Sequence, residues 1–412
     1  MRRRPFLLAL ASMLPAGCAA ILPGRAEAAR VLGVIEYGQS NAEGQAMKAA
    51  SVLRSEYPAG LRMPRTASGN VWLGQATVGG RSFEADAVTG LAPLRGAMGS
   101  ATHGSTAGES MVLRLAQSAL SGQEFVLFNV AEGGQKIRKL ARDAQPRYHG
   151  FRNLMRTAQA VDAALRREGK RYVVPVVIMA QGESDAGESH LGELQEQVRA
   201  EIEAGIRAIT QQREPVWLLS SQPSSFDAES SGACAILARH VQSLGEGGAY
   251  FCLGPTYNFP FAHDFLHHSS EGHDMRGELY AVAFEHLRRH GHWDVLRAVS
   301  ARVAGPDQIL LTLSEPAEVE QLPGLALPWL GIGLDGGALS ALRVEGDIIR
   351  ITTDGPAAAV KAVRLGLDGH RGKRSRETIP RTSIRSAATY GQYRSGAPIR
   401  KWLCHQQIAP ER

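Results

Sequence analysis

The chain has 412 residues, 44% hydrophobic and 21% charged, with 46 Lys and Arg against 40 Asp and Glu. That length exceeds one ordinary core, so two domains are expected. Past the N-terminus no run reaches the ~20 apolar residues that crossing a bilayer needs, which excludes a transmembrane segment in the mature chain; the Cys and His spacings exclude a zinc site.

The first 28 residues read as an export signal. Arg2-Arg3-Arg4 is a basic start, Phe6 to Leu22 is mostly apolar, and Ala26-Glu27-Ala28 offers a small-x-small cleavage site. Arg3-Arg4-Pro5-Phe6-Leu7 resembles the twin-arginine signature, so export to the periplasm or beyond is expected by a Sec or twin-arginine route. Lipid attachment at Cys18 ranks below cleavage after Ala28, because Pro15 fits a lipoprotein box poorly. Cleavage removes four Arg and one Glu and takes the formal charge from +6 to +3.

The mature chain opens with an apolar strand at 31–37, followed by a stretch from about 42 to 107 that is rich in Gly, Ala, Ser and Pro and has little periodicity. It reads as an insertion, either a substrate wall or packing decoration, with Trp72, Phe83 and His103 as candidates for touching substrate. Then come a helix at 108–121, a strand at 125–130, a helix at 151–167 and a strand at 173–180. A helix at 190–212, a strand at 216–220, a helix at 231–244, a strand at 249–253 and a helix at 270–290 complete the alternation. Strands apolar on both faces and alternating with amphipathic helices predict a parallel sheet covered on two sides, a three-layer α/β/α sandwich. Of the three Cys left after cleavage, Cys234 and Cys252 are the pair expected to form a disulfide; the alternative is three buried thiols.

After about residue 295 the pattern shortens. Segments at 299–304, 308–314, 341–345, 347–353 and 359–367 are β-like and separated by Pro, Gly and Asp turns, which predicts a small antiparallel β-sandwich. The expected division is therefore an export signal over 1–28, an α/β domain over 29–295 and a β-rich region with a basic tail over 296–412. From Lys361 to Lys401 eleven Lys or Arg stand against Asp368 and Glu377. Such asymmetry suggests contact with an anionic polysaccharide, or else a solvated strand surface with no partner; nucleic acid is not expected.

Acyl transfer needs a nucleophile, a base, an acid to orient the base, and donors for the developing oxyanion. Gly38-Gln39-Ser40-Asn41 follows the first strand and delivers a Ser hydroxyl at a turn, although an N-cap Ser is the ordinary explanation for such a run. Gly133-Gly134 ends the strand at 125–130 and would let backbone approach a ligand and offer an amide. Gln181-Gly182-Glu183 ends the strand at 173–180, with Gln181 a further amide donor and Glu183 a carboxylate at the sheet rim; capping the next helix is the plainer role. Asp264 and His267 lie three apart before the last helix, so that Asp264 can fix the imidazole while its other nitrogen faces Ser40.

These blocks resemble the SGNH hydrolase superfamily, and within it the branch of sialate O-acetylesterases and acetylxylan esterases of carbohydrate esterase family six. Gly38-Gln39-Ser40-Asn41, Ala131-Glu132-Gly133-Gly134-Gln135-Lys136-Ile137, Gln181-Gly182-Glu183-Ser184 and Asp264-Phe265-Leu266-His267 match its four blocks in order. The resemblance covers about residues 31–290 and implies a flavodoxin-like sheet, a Ser-His-Asp triad, removal of acetyl groups from sugar hydroxyls, and no metal or organic cofactor. It implies Ser40 as nucleophile, His267 as base and Asp264 as acid, with Glu183 a rival or accessory acid. The Ser40 and Gly134 amides and the Gln181 side chain become oxyanion donors, with Gly133 and Asn41 beside them. Gln135 and Ala180 depart from the family pattern and bear on the sugar-binding surface. Two other readings stay open: an inactive glycan-binding surface protein, and an esterase acting on lipid or aryl esters.

Overall fold

The structure, a computed structural model, describes residues 28–44, 57–66, 88–95, 105–118, 120–144, 150–185, 187–225, 232–369 and 374–412. The export signal and Trp72, Phe83 and His103 lie outside the described residues.

The first half alternates strand and helix. Its elements are β1 (Arg30–Gly38), α1 (Ser40–Glu43), β2 (Leu61–Thr66), β3 (Val88–Pro93), α2 (Ala107–Ala116), β4 (Glu124–Asn129), α3 (Ile137–Leu140) and α4 (Gly150–Arg167). They continue with β5 (Arg171–Ala180), α5 (Leu191–Thr210), β6 (Trp217–Gln222), α6 (Ala233–Glu246), β7 (Tyr250–Pro255) and α7 (Ser270–His290). Seven strands form one sheet in the order β3-β2-β4-β1-β5-β6-β7. All neighbours run parallel except β2 and β3. Without that pair the order is the flavodoxin-like one, and its topological switch falls between β1 and β5, where such sheets hold their ligands.

Alternation along each strand divides the core. Leu32 and Val34 of β1, with Phe125 and Leu127 of β4, pack with Met111 and Leu115 of α2 and Tyr280 and Phe284 of α7. Val31, Ile35, Val126 and Phe128 point the other way, to Leu154 and Val161 of α4 and Val198 and Ile202 of α5. At about 1.5–3 kcal/mol for each fully buried large aliphatic or aromatic side chain, these two layers dominate the stability of the sandwich. Local signals set the helix ends: the Thr106 hydroxyl accepts from the Glu109 amide at 3.4 Å and caps α2, and Ser269 does the same for Gly272 at 3.2 Å in α7. Gly291 closes α7 in the left-handed conformation at φ +76°, its amide on the Leu287 carbonyl.

The insertion expected to be irregular contributes two strands. Pro64, Gly90 and Pro93 hide them in the sequence, because such residues argue against a central strand. The sheet accommodates them at its edge: β2 pairs with β4 only at Leu61 and Arg62, and the rest of β2, Pro64 included, pairs with β3.

The change to β structure falls between α7 and β8 (Ala298–Gly305). There follow β9 (Gln308–Leu313), β10 (Ala317–Val319), β11 (Ile332–Asp335), β12 (Leu339–Glu345), β13 (Ile348–Thr353), β14 (Ala362–Leu365), β15 (Ile384–Ser386) and β16 (Gln406–Ile408). The sheet β12-β13-β9-β8 and the sheet β11-β14-β16 are antiparallel. Ile309, Leu311, Ile349 and Ile351 of the first share a core with Ile332, Val363 and Leu365 of the second. This is the β-rich sandwich expected from the sequence.

The tail is more ordered than its weak pattern suggests, because it is fastened to the α/β layers. The His405 amide donates to the Gln222 side chain at 3.0 Å, and Gln222 donates back to the His405 carbonyl at 2.9 Å. The His405 ring lies 2.9 Å from Ser224 Oγ and 2.7 Å from the Gly366 carbonyl, and Tyr257 donates to the Leu403 carbonyl at 2.7 Å. Arg394 pairs with Asp274 and with Glu278 of α7.

The expected disulfide is absent: none of Cys234, Cys252 and Cys404 is in a disulfide. Cys252 lies in the core on β7 and accepts the Gly254 amide at 3.2 Å, whereas Cys234 faces the His405 carbonyl at 3.9 Å. Burial pushes the Cys252 thiol up to about 12. Among the described residues no helix is long and apolar enough to cross a membrane.

Candidate active site

Two strand ends fix the position of Ser40. Gly38 at the end of β1 has φ +131°, and a Cβ there would meet the Ala180 carbonyl oxygen of β5 at 2.2 Å, so only Gly allows the approach. The Gln39 amide then donates to that same carbonyl at 3.0 Å. The chain turns immediately into α1, leaving Ser40 at its first position and 9% exposed.

The hydroxyl does not stand alone. Ser40 Oγ lies 2.9 Å from His267 Nε2, and His267 Nδ1 lies 2.6 Å from Asp264 Oδ2. The second Asp264 oxygen accepts the amides of Leu266 and His267, each at 3.0 Å. Burial works against the Asp264 charge, but the His267 amide, the His267 ring and the Leu266 amide outweigh it and hold the carboxyl below its usual range. A charged Asp264 accepts from Nδ1–H, which leaves Nε2 as the acceptor for the Ser40 proton. Between these residues Phe265 takes φ +50°, a left-handed backbone that bulky side chains rarely adopt.

Glu183 is not the partner of this imidazole. Its carboxylate accepts from Gln39 Nε2 at 2.5 Å and from Asn41 Nδ2 at 2.7 Å, gripping both neighbours of Ser40. Asn41 also ties the Ser40 turn to the histidine loop, through the Leu266 carbonyl at 3.3 Å and the His268 amide at 3.1 Å. Its side chain is thus occupied in joining two loops.

The glycine block needs a similar correction. The Gly133 amide is taken by the Glu43 carboxylate at 2.7 Å, and a Cβ at Gly133 would meet that carboxylate at 2.8 Å. The Gly134 amide, at φ +71° and exposed, has no hydrogen-bond partner among the described residues, nor does the Ser40 amide. The Gln181 side chain, expected as an oxyanion donor, is 1% exposed and turned inward. Its Nε2 donates to the Gln135 carbonyl at 2.8 Å and to Asp185 at 2.6 Å, which takes both hydrogens. Asp185 in turn accepts the Ile137 amide at 3.0 Å, so this cluster braces the glycine loop against the end of β5.

Sequence reasoning passed over Glu43, Gln39, Asp185 and Arg276. The Arg276 guanidinium donates to the Asn41 carbonyl at 3.4 Å from beneath the turn. The one signal for Glu43 is its position, an acid three residues after Ser40 and next to the closing Gly44. Among the described residues no group of His, Cys, Asp and Glu is placed to hold a metal ion.

This arrangement has the layout of a serine hydrolase site on an open α/β sheet. Among solved structures the chain is similar to a carbohydrate acetylesterase from Xanthomonas citri, with 18% sequence identity and a TM-score of 0.55 over 90% of this chain and 80% of that one. NanS shares 12% identity over 63% of this chain and 98% of its own, with a TM-score of 0.45. A carbohydrate acetylesterase from Sinorhizobium meliloti shares 11% over 62% and 99%, with a TM-score of 0.35. No family model matches the sequence, and no curated protein does. The likeness to the Xanthomonas citri enzyme shows a common fold, the one that the four sequence blocks led us to expect.

Proposed function

We propose that this protein is an exported serine esterase that removes O-acetyl groups from a carbohydrate. The observation that carries the reading is the unbroken line from Ser40 Oγ through the His267 ring to Asp264, at 2.9 and 2.6 Å. The carbohydrate acetylesterase fold supports it, and the N-terminal signal supports export. In this reading residues 29–295 form the esterase domain and 296–412 an accessory β-rich domain.

The Ser40 proton passes to His267 Nε2 as the oxygen attacks the acetyl carbon. Negative charge moves to the acetyl oxygen, which in this reading accepts from the Ser40 and Gly134 amides. The intermediate collapses, the sugar oxygen leaves with the proton held by His267, and an acetyl group remains on Ser40. Water then gives a proton to His267, attacks the ester, and releases acetate and the free hydroxyl. Asp264 keeps its charge throughout and stabilises the imidazolium.

The test is hydrolysis of p-nitrophenyl acetate, followed by acetate release from acetylated xylan and O-acetylated sialic acid. Ser40→Ala is expected to lower kcat by about a thousandfold or more. Equal, negligible rates in wild type and variant would overturn the reading in favour of a glycan-binding protein without activity.

A further inference from the structure

The basic segment expected from the sequence is mostly fastened inside the molecule, but part of it converges on a cavity. Arg364 pairs with Asp335 and Asp368, Arg394 with Asp274 and Glu278, and Lys401 with Glu315. Four other guanidiniums, of Arg376, Arg381, Arg385 and Arg400, line a cavity of about 460 Å³ between the histidine loop and the C-terminal region. That volume is within the range of about 300–1,000 Å³ usual for small-molecule sites.

The cavity has a surplus of positive charge. Among the described residues its one lining carboxylate, Glu320, pairs with Arg385, which Glu318 also holds at 3.0 Å. Arg381 is 6% exposed and meets only neutral acceptors among the described residues: Asn258 Oδ1 at 3.2 Å, the Arg376 carbonyl at 2.8 Å and the Ile379 carbonyl at 3.4 Å. Arg400 likewise donates only to the Ser386 and Ala387 carbonyls, at 3.2 and 2.7 Å, and its buried Nε has no partner. Arg376 donates to the Pro323 carbonyl at 2.7 Å. A buried guanidinium with no carboxylate in hydrogen-bond reach is costly, and burial pushes Arg381 down to about 10 although the nearby Glu377 charge favours it. The same cavity is walled by the rings of Phe261, Phe265 and Trp402. Phe265 sits between Asp264 and the two residues whose amides Asp264 holds.

We propose that this cavity binds a carboxylate-bearing sugar unit of the glycan substrate, its carboxylate on Arg381 and Arg400 and its ring against Phe261, Phe265 and Trp402. Guanidinium and carboxylate match in geometry, and aromatic faces suit the apolar face of a pyranose. A bare inorganic anion would use the arginines and leave the rings idle. The inference rests on the carbohydrate reading above and narrows it to acidic glycans, with the C-terminal region selecting the substrate and the α/β region carrying out the chemistry.

Calorimetric titration of the full chain with trigalacturonic acid tests it, with the neutral trimethyl ester and sodium phosphate as controls. The acid is expected to bind, more weakly as salt rises, and about tenfold to a hundredfold more weakly to Arg381→Gln and Arg400→Gln. The methyl ester and phosphate are expected to bind at least about tenfold more weakly than the acid. Equal affinity for acid and ester, phosphate binding as tight as the saccharide, or variants that bind like wild type would each overturn the proposal. Should Arg381→Gln fail to fold, the half-buried Arg400 and the acid-to-ester comparison on wild type decide. Hydrolysis of p-nitrophenyl acetate by the same preparations reads the esterase proposal separately.

Discussion

In the α/β layers the side chains of the candidate site gather at one place, the carboxyl ends of β1 and β5, and reach it on loops whose strands are anchored in an apolar core. After α7 the polar side chains are strung along a seam instead, and most of them fasten one part of the chain to another. Ser40, His267 and Asp264 form one short line, whereas Arg394, Lys401 and His405 each bond to a different element. The contrast teaches that topology concentrates chemistry where strands end, while a region joined to the rest across a seam relies on side-chain fastening there.

The largest expected effect concerns the acid beside His267. Asp264→Asn should lower kcat on p-nitrophenyl acetate by about 10⁴-fold, since the ring loses its charged partner and correct tautomer. Glu183→Gln, which loosens only the grip on Gln39 and Asn41, should cost about a hundredfold at most. The reverse order would transfer the acid's role to Glu183.

Two buried groups, one in each region, respond to pH with opposite signs. Burial raises the Glu36 carboxyl on β1 from 4.5 to about 7, against Thr106, Arg276, Gly108 and Asn129. Between those values the folded chain keeps a proton that the unfolded chain has lost, so stability falls as pH rises, by about 3 kcal/mol. Burial lowers the His405 ring from 6.5 to about 4, against the Gly366 carbonyl. There the unfolded chain holds the extra proton, so stability falls as pH drops from 6.5 towards 4, again by about 3 kcal/mol. In wild type the two slopes oppose each other from about pH 4.5 to 6.5. In urea unfolding, the slope of stability against pH across this window should be more positive than wild type in Glu36→Gln and more negative than wild type in His405→Gln. Unchanged slopes in both variants would show that neither group titrates as its burial implies.

Smaller effects separate fastening from decoration. Arg394→Ala leaves Glu278, whose side chain is 1% exposed, with the Arg114 charge and the residue 394 amide, and should cost about 2 kcal/mol in urea unfolding. Arg138→Ala breaks only the exposed pair with Glu188 and should stay within about 0.5 kcal/mol. If the two variants are equally mild, the seam is not held by its ion pairs. Smallest of all, adding a reductant should leave the melting temperature unchanged, because none of Cys234, Cys252 and Cys404 is in a disulfide.

The sheet was legible because each central strand is apolar on both faces: the run expected at 125–130 is β4 at Glu124–Asn129, and the helix expected at 270–290 is α7 at Ser270–His290. β2 and β3 were not, because Pro64 and Pro93 sit at an edge where the usual rule against proline relaxes. The tail was illegible for another reason. Its fixings are hydrogen bonds such as His405 to Gln222, between residues 183 apart, and no local pattern encodes them. At the site, spacing alone brought Asp264 to His267, but the Gln135 carbonyl that holds Gln181 and the Glu43 hold on Gly133 come from chain segments that meet only on folding.

Gly38 pressed against the Ala180 carbonyl makes the location of the Ser40 hydroxyl a matter of strand register. A loop can loosen while the molecule stays folded; two paired central strands cannot slip without dismantling the sheet. Loss of the Ser40–His267 geometry on heating and global melting should therefore be one event in this protein, and stabilising the sheet anywhere should prolong the life of that arrangement.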